Sequence, residues 1–172
     1  MNNGKKGTEM ANELIDFPRT MATLEQLAQD VKAGYIDQLE KNGHPTMYGQ
    51  NRLSDTISTV VTVDGHSFTA SLRMNEYWKY LEKGTAPHWP PRDAILKWVE
   101  IKPVIPRPDG NGRIPSPQQL SFLISRKISE VGTKGTHGFQ TARDAIVPTY
   151  YERIEASLAG DIGDYLKAMY SW

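Results

Sequence analysis

The segment ISTVVTVDGHSFTASL, residues 57–72, carries the strongest structural signal in the chain. Asp64-Gly65 is typical of the centre of a two-residue hairpin turn, and apolar and polar residues alternate on both sides of it. Counting outward from that turn gives three cross-strand pairs on one face: Val61 with Phe68, Thr59 with Ala70, and Ile57 with Leu72. We expect this face to be buried and the opposite, mostly polar face to be solvated. The segment therefore predicts an antiparallel hairpin at about residues 55–74.

Segments on both sides of the hairpin show the three- and four-residue spacing of helices. Helices are predicted at residues 22–41, 117–131 and 149–169, with shorter ones at 77–83 and 92–100. Ser116-Pro117-Gln118-Gln119 is typical of a capping box with proline at the first helical position. These patterns predict an α+β fold with a small antiparallel sheet made of the hairpin and further strands. N-terminal, central and C-terminal helices are expected to pack against this sheet.

Two details of the long helices follow from the same spacing. The first helix is expected to begin near Thr20 or Thr23, with Thr23 as its cap, and to end near Asn42-Gly43. Pro148 divides the C-terminal helical region into a short piece and a longer one. The predicted inner side of the longer piece consists of Tyr151, Ile154, Leu158, Ile162, Tyr165, Leu166 and Met169.

The remaining segments indicate the domain organisation. Residues 1–20 are polar and without pattern, which predicts a flexible N-terminal arm whose Leu14, Ile15 and Phe17 are available for docking. Residues 101–116 are rich in proline and glycine, which predicts an exposed loop. We expect residues 21–172 to form a single α+β domain that includes this loop and a long C-terminal helix.

Composition excludes several classes of protein. Twenty basic and twenty acidic residues balance, which argues against a dedicated nucleic-acid binder but allows a protein that lines a DNA passage. The absence of cysteine excludes disulfides and thiolate metal sites. No apolar run approaches the roughly 20 residues that span a bilayer, and the polar N-terminus lacks a signal peptide. We therefore expect a soluble protein without a membrane partner.

The sequence contains no recognisable catalytic pattern. The four histidines are scattered, and no two of them have the spacing of metal ligands. The glycines do not form a Walker motif, and no serine lies in a Gly-x-Ser-x-Gly setting. We therefore expect a protein that is not an enzyme, with no catalytic residues, no cofactor and no metal.

A basic and aromatic region at residues 78–98 leaves two interpretations open. Its members are Lys79, Lys83, Arg92 and Lys97, with Trp78, Tyr80, Trp89 and Trp98. In a nucleic-acid-binding accessory protein the bases would stack on these rings. In the alternative, the rings pack in the protein and the lysines are solvated, an interpretation that the interleaved acidic residues favour.

The segment YLEKGTAPHWPP, residues 80–91, followed by AILKWV, residues 94–99, resembles the small tail-completion and head–tail joining proteins of tailed bacteriophages. The positions that carry the resemblance are Glu82, Gly84, Thr85, Pro87, His88, Trp89 and Trp98. Downstream, a helix, a Gly-Thr-rich link at 132–138 and Phe139 follow in the same order. The resemblance covers about residues 20–147, and the loop at 101–116 and the tail after Pro148 exceed the family pattern.

The resemblance implies a structural virion protein at the neck or tail of the particle, assembled in the host cytoplasm. Members of this family are not enzymes and work as homo-oligomeric rings between the connector, on the portal side, and the tail proteins. DNA would pass through such a ring with passive contact only. We expect the subunit contacts on the N-terminal arm, the loop 101–116 and the exposed part of the C-terminal helix. The simpler interpretation of the motif is a tight, glycine-capped corner that holds aromatic residues in the core.

Overall fold

The computed structural model of the chain describes residues 16–43, 52–64, 67–102, 105–108 and 110–170. The first half contains helices α1 (Pro18–Lys41) and α2 (Leu53–Thr56), strands β1 (Ser58–Asp64) and β2 (Ser67–Arg73), helix α3 (Trp78–Lys83) and strand β3 (Gly84–Thr85). The second half contains helices α4 (Arg92–Ile101) and α5 (Pro117–Val131), strand β4 (Thr133–Lys134), helix α6 (Gly138–Ile146), a 3₁₀ turn (Val147–Tyr150) and helix α7 (Tyr151–Tyr170). Strands β1 and β2 form one antiparallel sheet and β3 and β4 another. The α+β prediction is confirmed.

Helix α1 contributes residues to both hydrophobic clusters of the core. Its first half packs against the hairpin and the 3₁₀ turn, through Leu24, Leu27 and Val31. Its second half packs against α2 and α6, through Tyr35 and Leu39. The three- and four-residue spacing in the sequence thus places the apolar residues of α1 on one buried stripe, as expected for an amphipathic helix.

The hairpin buries the predicted face but in a different register. Val61, Phe68 and Leu72 pack against α1, as expected. The observed pairs on this face are Thr59 with Leu72, Val61 with Ala70, and Val63 with Phe68, so the predicted pairing is wrong by two residues. Asp64 pairs with Ser67 and belongs to β1 rather than to the turn. Because side chains alternate with a period of two, a two-residue shift leaves the same residues on the same face, and the alternation cannot distinguish the two registers.

The N-terminal boundary differs from the prediction. Helix α1 begins at Pro18, so the last three residues of the predicted arm are helical, and Leu14 and Ile15 lie outside the described residues. Phe17 packs edge-on against Phe68 of the hairpin, with 5.0 Å between ring centroids. Thr23 is not the cap, because it lies inside α1, whose N-cap is Phe17; its hydroxyl lies 2.7 Å from that of Ser157. A flexible arm followed by a single domain over residues 21–172 stays a prediction.

The central helix matches its prediction and the C-terminal helix matches only in part. Helix α5 spans Pro117–Val131, and Ser116 and Gln119 form the predicted capping box. In α7 the predicted inner residue Tyr151 is 57% exposed, and Ile162, Leu166 and Met169 are also exposed. Tyr150 is buried in place of Tyr151, because the tighter 3₁₀ turn after Ile146 changes which side chain faces α1. In the described part of the chain, no helix has the length and apolar character needed to cross a membrane.

Helices α4 and α5 pack mainly against each other. The small sheet of β3 and β4 joins this helix pair to the rest of the fold, since β3 precedes α4 and β4 follows α5. At the other end of α4, the Lys102 ammonium donates a hydrogen bond to the Gly43 carbonyl oxygen at 3.0 Å. Both attachments lie beside the C-terminal half of α1, so the α4–α5 helix pair is attached at that end of α1.

Candidate interaction surface

Glu82 is the buried acid of the corner between α3 and β3, with 6% of its surface exposed. Its two carboxylate oxygens accept hydrogen bonds from the backbone N–H groups of Phe139 (2.9 Å) and Gln140 (3.0 Å). These amides lie in the first turn of α6, where they have no partner within the helix. His137, at the N-cap position, makes no side-chain cap hydrogen bond. Glu82 therefore caps α6 from a different helix.

The environment of Glu82 also affects a neighbouring tyrosine. Burial, together with the nearby Glu82 carboxylate, raises the pKa of Tyr35 to about 12. The Tyr35 ring packs edge-on against Phe139, 5.6 Å away between centroids. The hydroxyl is thus protonated at every ordinary pH, and the pocket around the corner is part of the core.

Gly84 and Gly132 allow the two short strands to approach each other. Gly84 pairs with Lys134 and Thr85 with Thr133. Both glycines have positive φ angles, 75° and 71°, which side-chain-bearing residues rarely adopt. A Cβ atom on Gly84 would overlap the Thr133 carbonyl oxygen, and one on Gly132 would overlap the Thr85 carbonyl oxygen. Glycine is therefore required at both positions.

Thr85 and His88 attach the chain between β3 and α4 to the following helix and strand. The Thr85 hydroxyl lies 2.9 Å from that of Thr133 and accepts a hydrogen bond from the Thr133 backbone at 3.2 Å. The His88 backbone N–H donates to the Ile128 carbonyl oxygen of α5 at 3.4 Å. The His88 ring Nδ1 lies 2.9 Å from the Ala86 carbonyl oxygen, which turns the ring back on its own loop. Pro87 lies at an exposed bend of this segment.

The two motif tryptophans lie on the outside. Trp89 is 61% exposed and Trp98 is 44% exposed. The Trp89 ring lies 6.4 Å from that of Phe122, and the Lys102 ammonium lies 5.0 Å over the Trp98 ring. Tyr80 is exposed as well. The interpretation that the aromatic residues of this segment pack in the core is therefore wrong for these three rings, although Trp78 does pack against Phe139.

Helix α5 presents apolar residues to solvent and buries small polar ones. The apolar residues Leu123 and Val131 are exposed, as is Phe122. Ser121 and Ser125 are buried, four residues apart on the same side of the helix. Short side chains at this spacing permit a close approach of the partner helix α4. We give the name α4–α5 surface to six exposed apolar residues, five on this helix pair and one just before it: Trp89, Trp98, Ile101, Phe122, Leu123 and Val131.

An open groove of about 790 Å³ adjoins the α4–α5 surface. Three arginines line it: Arg92 at the start of α4, and Arg107 and Arg113 from the loop between α4 and α5. Ile114, Phe122 and Leu123 give it an apolar wall, and the Arg92 guanidinium lies 6.0 Å over the Phe122 ring. None of the described residues that line the groove is acidic. We call it the arginine groove.

The residues of the motif lie in two settings, the corner and the exposed surface. The structure brings Glu82, Gly84 and Thr85 together with the link at 132–139, places His88 against α5, and leaves Trp89 and Trp98 facing solvent. Within the described residues, no group of three or more histidine and acidic side chains could hold a metal ion. Exposed aromatic rings beside arginines are the composition that protein interfaces favour.

No family model matches the chain, and comparisons with curated proteins and with solved structures found no match either. The functional proposal therefore depends on the geometry of the corner, the α4–α5 surface and the arginine groove.

The sequence patterns did not predict the arginine groove. Arg107 and Arg113 lie in a proline-rich loop without periodicity, so no spacing relates them to Arg92 or to Phe122. The available signal was the composition of that loop, in which two arginines and no lysine occur among residues 105–116. Arginine in place of lysine is typical of interfaces, because its planar group binds carboxylates at two points and stacks on rings.

Proposed function

We propose that the chain is a structural subunit of a tailed-phage virion, which forms part of an oligomeric ring at the neck or tail end and acts by protein–protein contact. The segment from Glu82 to Trp98, whose residues resemble tail-completion and head–tail joining proteins, is the basis for the family. The ring would contact the connector on one side and tail proteins on the other.

The observation that carries the proposal is the exposure of Trp89 and Trp98 on a firmly held segment. The corner fixes the start of this segment through Glu82 and the paired strands, and Lys102 fixes its end. Exposed apolar area costs roughly 25 cal/mol per Å² in water, and large aromatic rings are the residues that dominate interface energies. A rigid surface of this kind supports a role in assembly.

Light scattering combined with size-exclusion chromatography tests this proposal. We expect the full chain to form a defined oligomer, alone or with a purified phage connector or tail protein. Replacing Trp89→Ser and Trp98→Ser is expected to shift the population towards monomer by at least about tenfold in the association constant, as hot-spot aromatic residues do. Val63→Ser, an exposed apolar residue at the end of the hairpin, is the matched control and is expected to leave the oligomer unchanged. A strict monomer under all these conditions would refute the proposal.

A nucleic-acid-binding accessory role is the second candidate, because Tyr80, Trp89 and Trp98 are exposed near basic residues. Such a protein would show salt-dependent retention of DNA. Neutralising Lys79, Lys83 and Arg92 would then weaken retention. If the wild-type chain shows no retention at low salt, this candidate is excluded and the assembly role is not affected.

A further inference from the structure

We propose that the outer edge of strand β1 binds an extended, basic segment of another protein, which adds a third strand to the hairpin in a groove beside helix α1. This contact is separate from the α4–α5 surface. It goes beyond the proposed ring function, because it does not require copies of the chain to associate with one another.

The outer edge of β1 presents backbone groups that the hairpin does not use. Asp64 pairs with Ser67 and only two residues connect them, so this closing pair exchanges backbone hydrogen bonds. Because bonded and non-bonded pairs alternate along an antiparallel ladder, Thr59, Val61 and Val63 direct their N–H and C=O groups away from β2. These groups form no backbone hydrogen bond with any other described residue.

Strand β1 lacks the features that usually keep a free edge from pairing. Natural sheets protect their edges with proline, lysine, inward-pointing charges or bulges. Strand β1 reads STVVTVD and contains no proline and no basic residue, and its single charge, Asp64, lies at its end. Its register with β2 is continuous from Ser58 to Asp64, without a bulge. Valine and threonine favour strands, so this edge is suited to accept a further strand.

A groove of about 320 Å³ adjoins this edge, between β1 and α1. On one side it is lined by Thr59 and Val61, two of the residues whose backbone groups point outward. On the other side it is lined by exposed residues of α1 at helical spacing: Ala22, Glu25, Gln26 and Gln29. A strand in this groove would pair with β1 through its backbone and direct alternate side chains towards α1.

The charge of the groove favours a basic segment from a different protein. Among the described residues that line the groove, Glu25 is the charged one, and it forms no ion pair with any other described residue. A lysine or arginine on the added strand would complement it. The hairpin of a second copy supplies no such group on the side that faces α1. The residues on that side are Thr59, Val61, Val63, Phe68, Ala70 and Leu72.

Amide hydrogen exchange of the full chain, resolved residue by residue, tests whether the edge is free. We expect slow exchange for Val60 and Thr62, whose N–H groups bond to β2, and fast exchange for Thr59, Val61 and Val63. Slow exchange at all five amides in the free chain would overturn the proposal, because the edge would then be covered already.

A fluorescein-labelled peptide of sequence TVTKTVT, titrated into the full chain by fluorescence polarisation, tests the added strand. Two further versions carry N-methyl groups on alternate backbone amides, in opposite phase. Because a strand pairs with its neighbour through alternate residues, we expect one version to bind at least about tenfold more weakly and the other to bind like the unmodified peptide. Absence of binding, or equal affinities for the two versions, would overturn the proposal.

Variants of the full chain place the binding in the groove. Ala22→Trp fills the groove with an indole ring and is expected to bind the peptide at least about tenfold more weakly. Ala33→Trp, at an exposed position of α1 outside the groove, is the matched control and is expected to bind like the wild type. Equal affinities for these two chains would contradict the assignment.

The charge of the partner is tested by exchange. Glu25→Lys is expected to weaken binding of the lysine peptide and to strengthen binding of a peptide with glutamate in its place. If the glutamate peptide binds the wild-type chain as tightly as the lysine peptide does, the partner is not basic and the proposal is wrong.

Light scattering on the Ala22→Trp chain separates this inference from the ring proposal. We expect its oligomeric state to equal that of the wild type, since the edge receives a different protein. Loss of the oligomer in this variant alone would assign the groove to a second copy and overturn the inference, while the ring proposal would stand. If the wild-type chain binds the peptide but never associates, the ring proposal fails and the inference stands.

Discussion

Two buried carboxylates hold helix ends in place, Glu82 at the start of α6 and Asp161 at the start of α1. Asp161, on α7, accepts hydrogen bonds from the backbone N–H groups of Arg19 (3.2 Å) and Thr20 (2.8 Å) and from the Thr20 hydroxyl (2.8 Å). Pro18, at the first helical position, has no N–H to satisfy, and Phe17 offers no side-chain cap. Both helices are thus capped by acids distant in sequence, which the helix dipole favours.

Removing the Glu82 carboxylate is expected to destabilise the fold. Glu82→Ala removes the acceptors of two part-buried amides of α6 and should lower the free energy of unfolding by about 1 to 2 kcal/mol. Glu82→Gln keeps one acceptor oxygen and should lower the free energy of unfolding by a smaller amount. Urea denaturation measures both, with Glu76→Ala, an exposed residue, as the control. Equal stability of the Glu82→Ala and Glu76→Ala chains would contradict the capping role.

The Asp161 cap predicts a pH dependence of stability. Burial alone would raise the pKa of the Asp161 carboxyl, but the hydrogen bonds from Thr20 and Arg19 outweigh it and lower the pKa below its usual value. A carboxyl whose pKa is lower in the folded state stabilises the protein above the unfolded pKa of about 3.9, and this stability is lost as the pH falls through the folded value.

We therefore expect the wild-type chain to lose stability more steeply below about pH 4 than Asp161→Asn, and to be the more stable of the two at pH 7. Thermal unfolding at a series of pH values measures the difference. The pKa of Asp30 is also lowered, chiefly by the hydrogen bond from the Tyr150 hydroxyl. The Asp161→Asn chain therefore keeps part of the pH dependence of stability. Parallel curves for the two chains would contradict the assignment to Asp161.

At the scale of elements, the paired strands β3 and β4 join the α4–α5 helices to the core, and their glycines permit the pairing. Gly132→Ala places a Cβ against the Thr85 carbonyl in a backbone conformation of positive φ, so we expect a loss of at least about 2 kcal/mol. Gly163→Ala in α7 is the matched control, because a Cβ there meets nothing within 4 Å. Chemical denaturation of both chains checks the prediction, and a Gly132→Ala chain as stable as the control would contradict it.

The elements themselves could be predicted wherever local chemistry determines them. Ser116 and Gln119 form a local capping box, and the observed start of α5 agrees with it. The hairpin register could not be predicted, because both registers bury Val61 and Phe68, and only the turn distinguishes them. The cap of α1 could not be predicted, since its acceptor, Asp161, is brought there by the packing of α7 on α1.

The candidate site was predictable only in its corner. Glu82, Gly84 and Thr85 were singled out from the sequence, and the structure shows each of them in a specific contact with residues 132–140. The exposure of Trp89 and Trp98 was not predictable, because it depends on tertiary packing rather than on local spacing. The burial of Ser121 and Ser125 likewise reverses the expectation for polar residues in a helix.

At the scale of the whole molecule, helix α1 connects two parts of the fold. Its first half packs against the hairpin, and its end lies beside the α4–α5 helix pair through the hydrogen bond from Lys102 to Gly43. We propose that the α4–α5 surface makes the subunit contacts of the ring.

Electron microscopy of the full chain, alone and mixed with a purified phage connector or tail protein, tests the ring proposal most directly. The account predicts closed rings with a central opening, which the Trp89→Ser and Trp98→Ser chain does not form. Particles of monomer size in every mixture, or open filaments without closure, would contradict it.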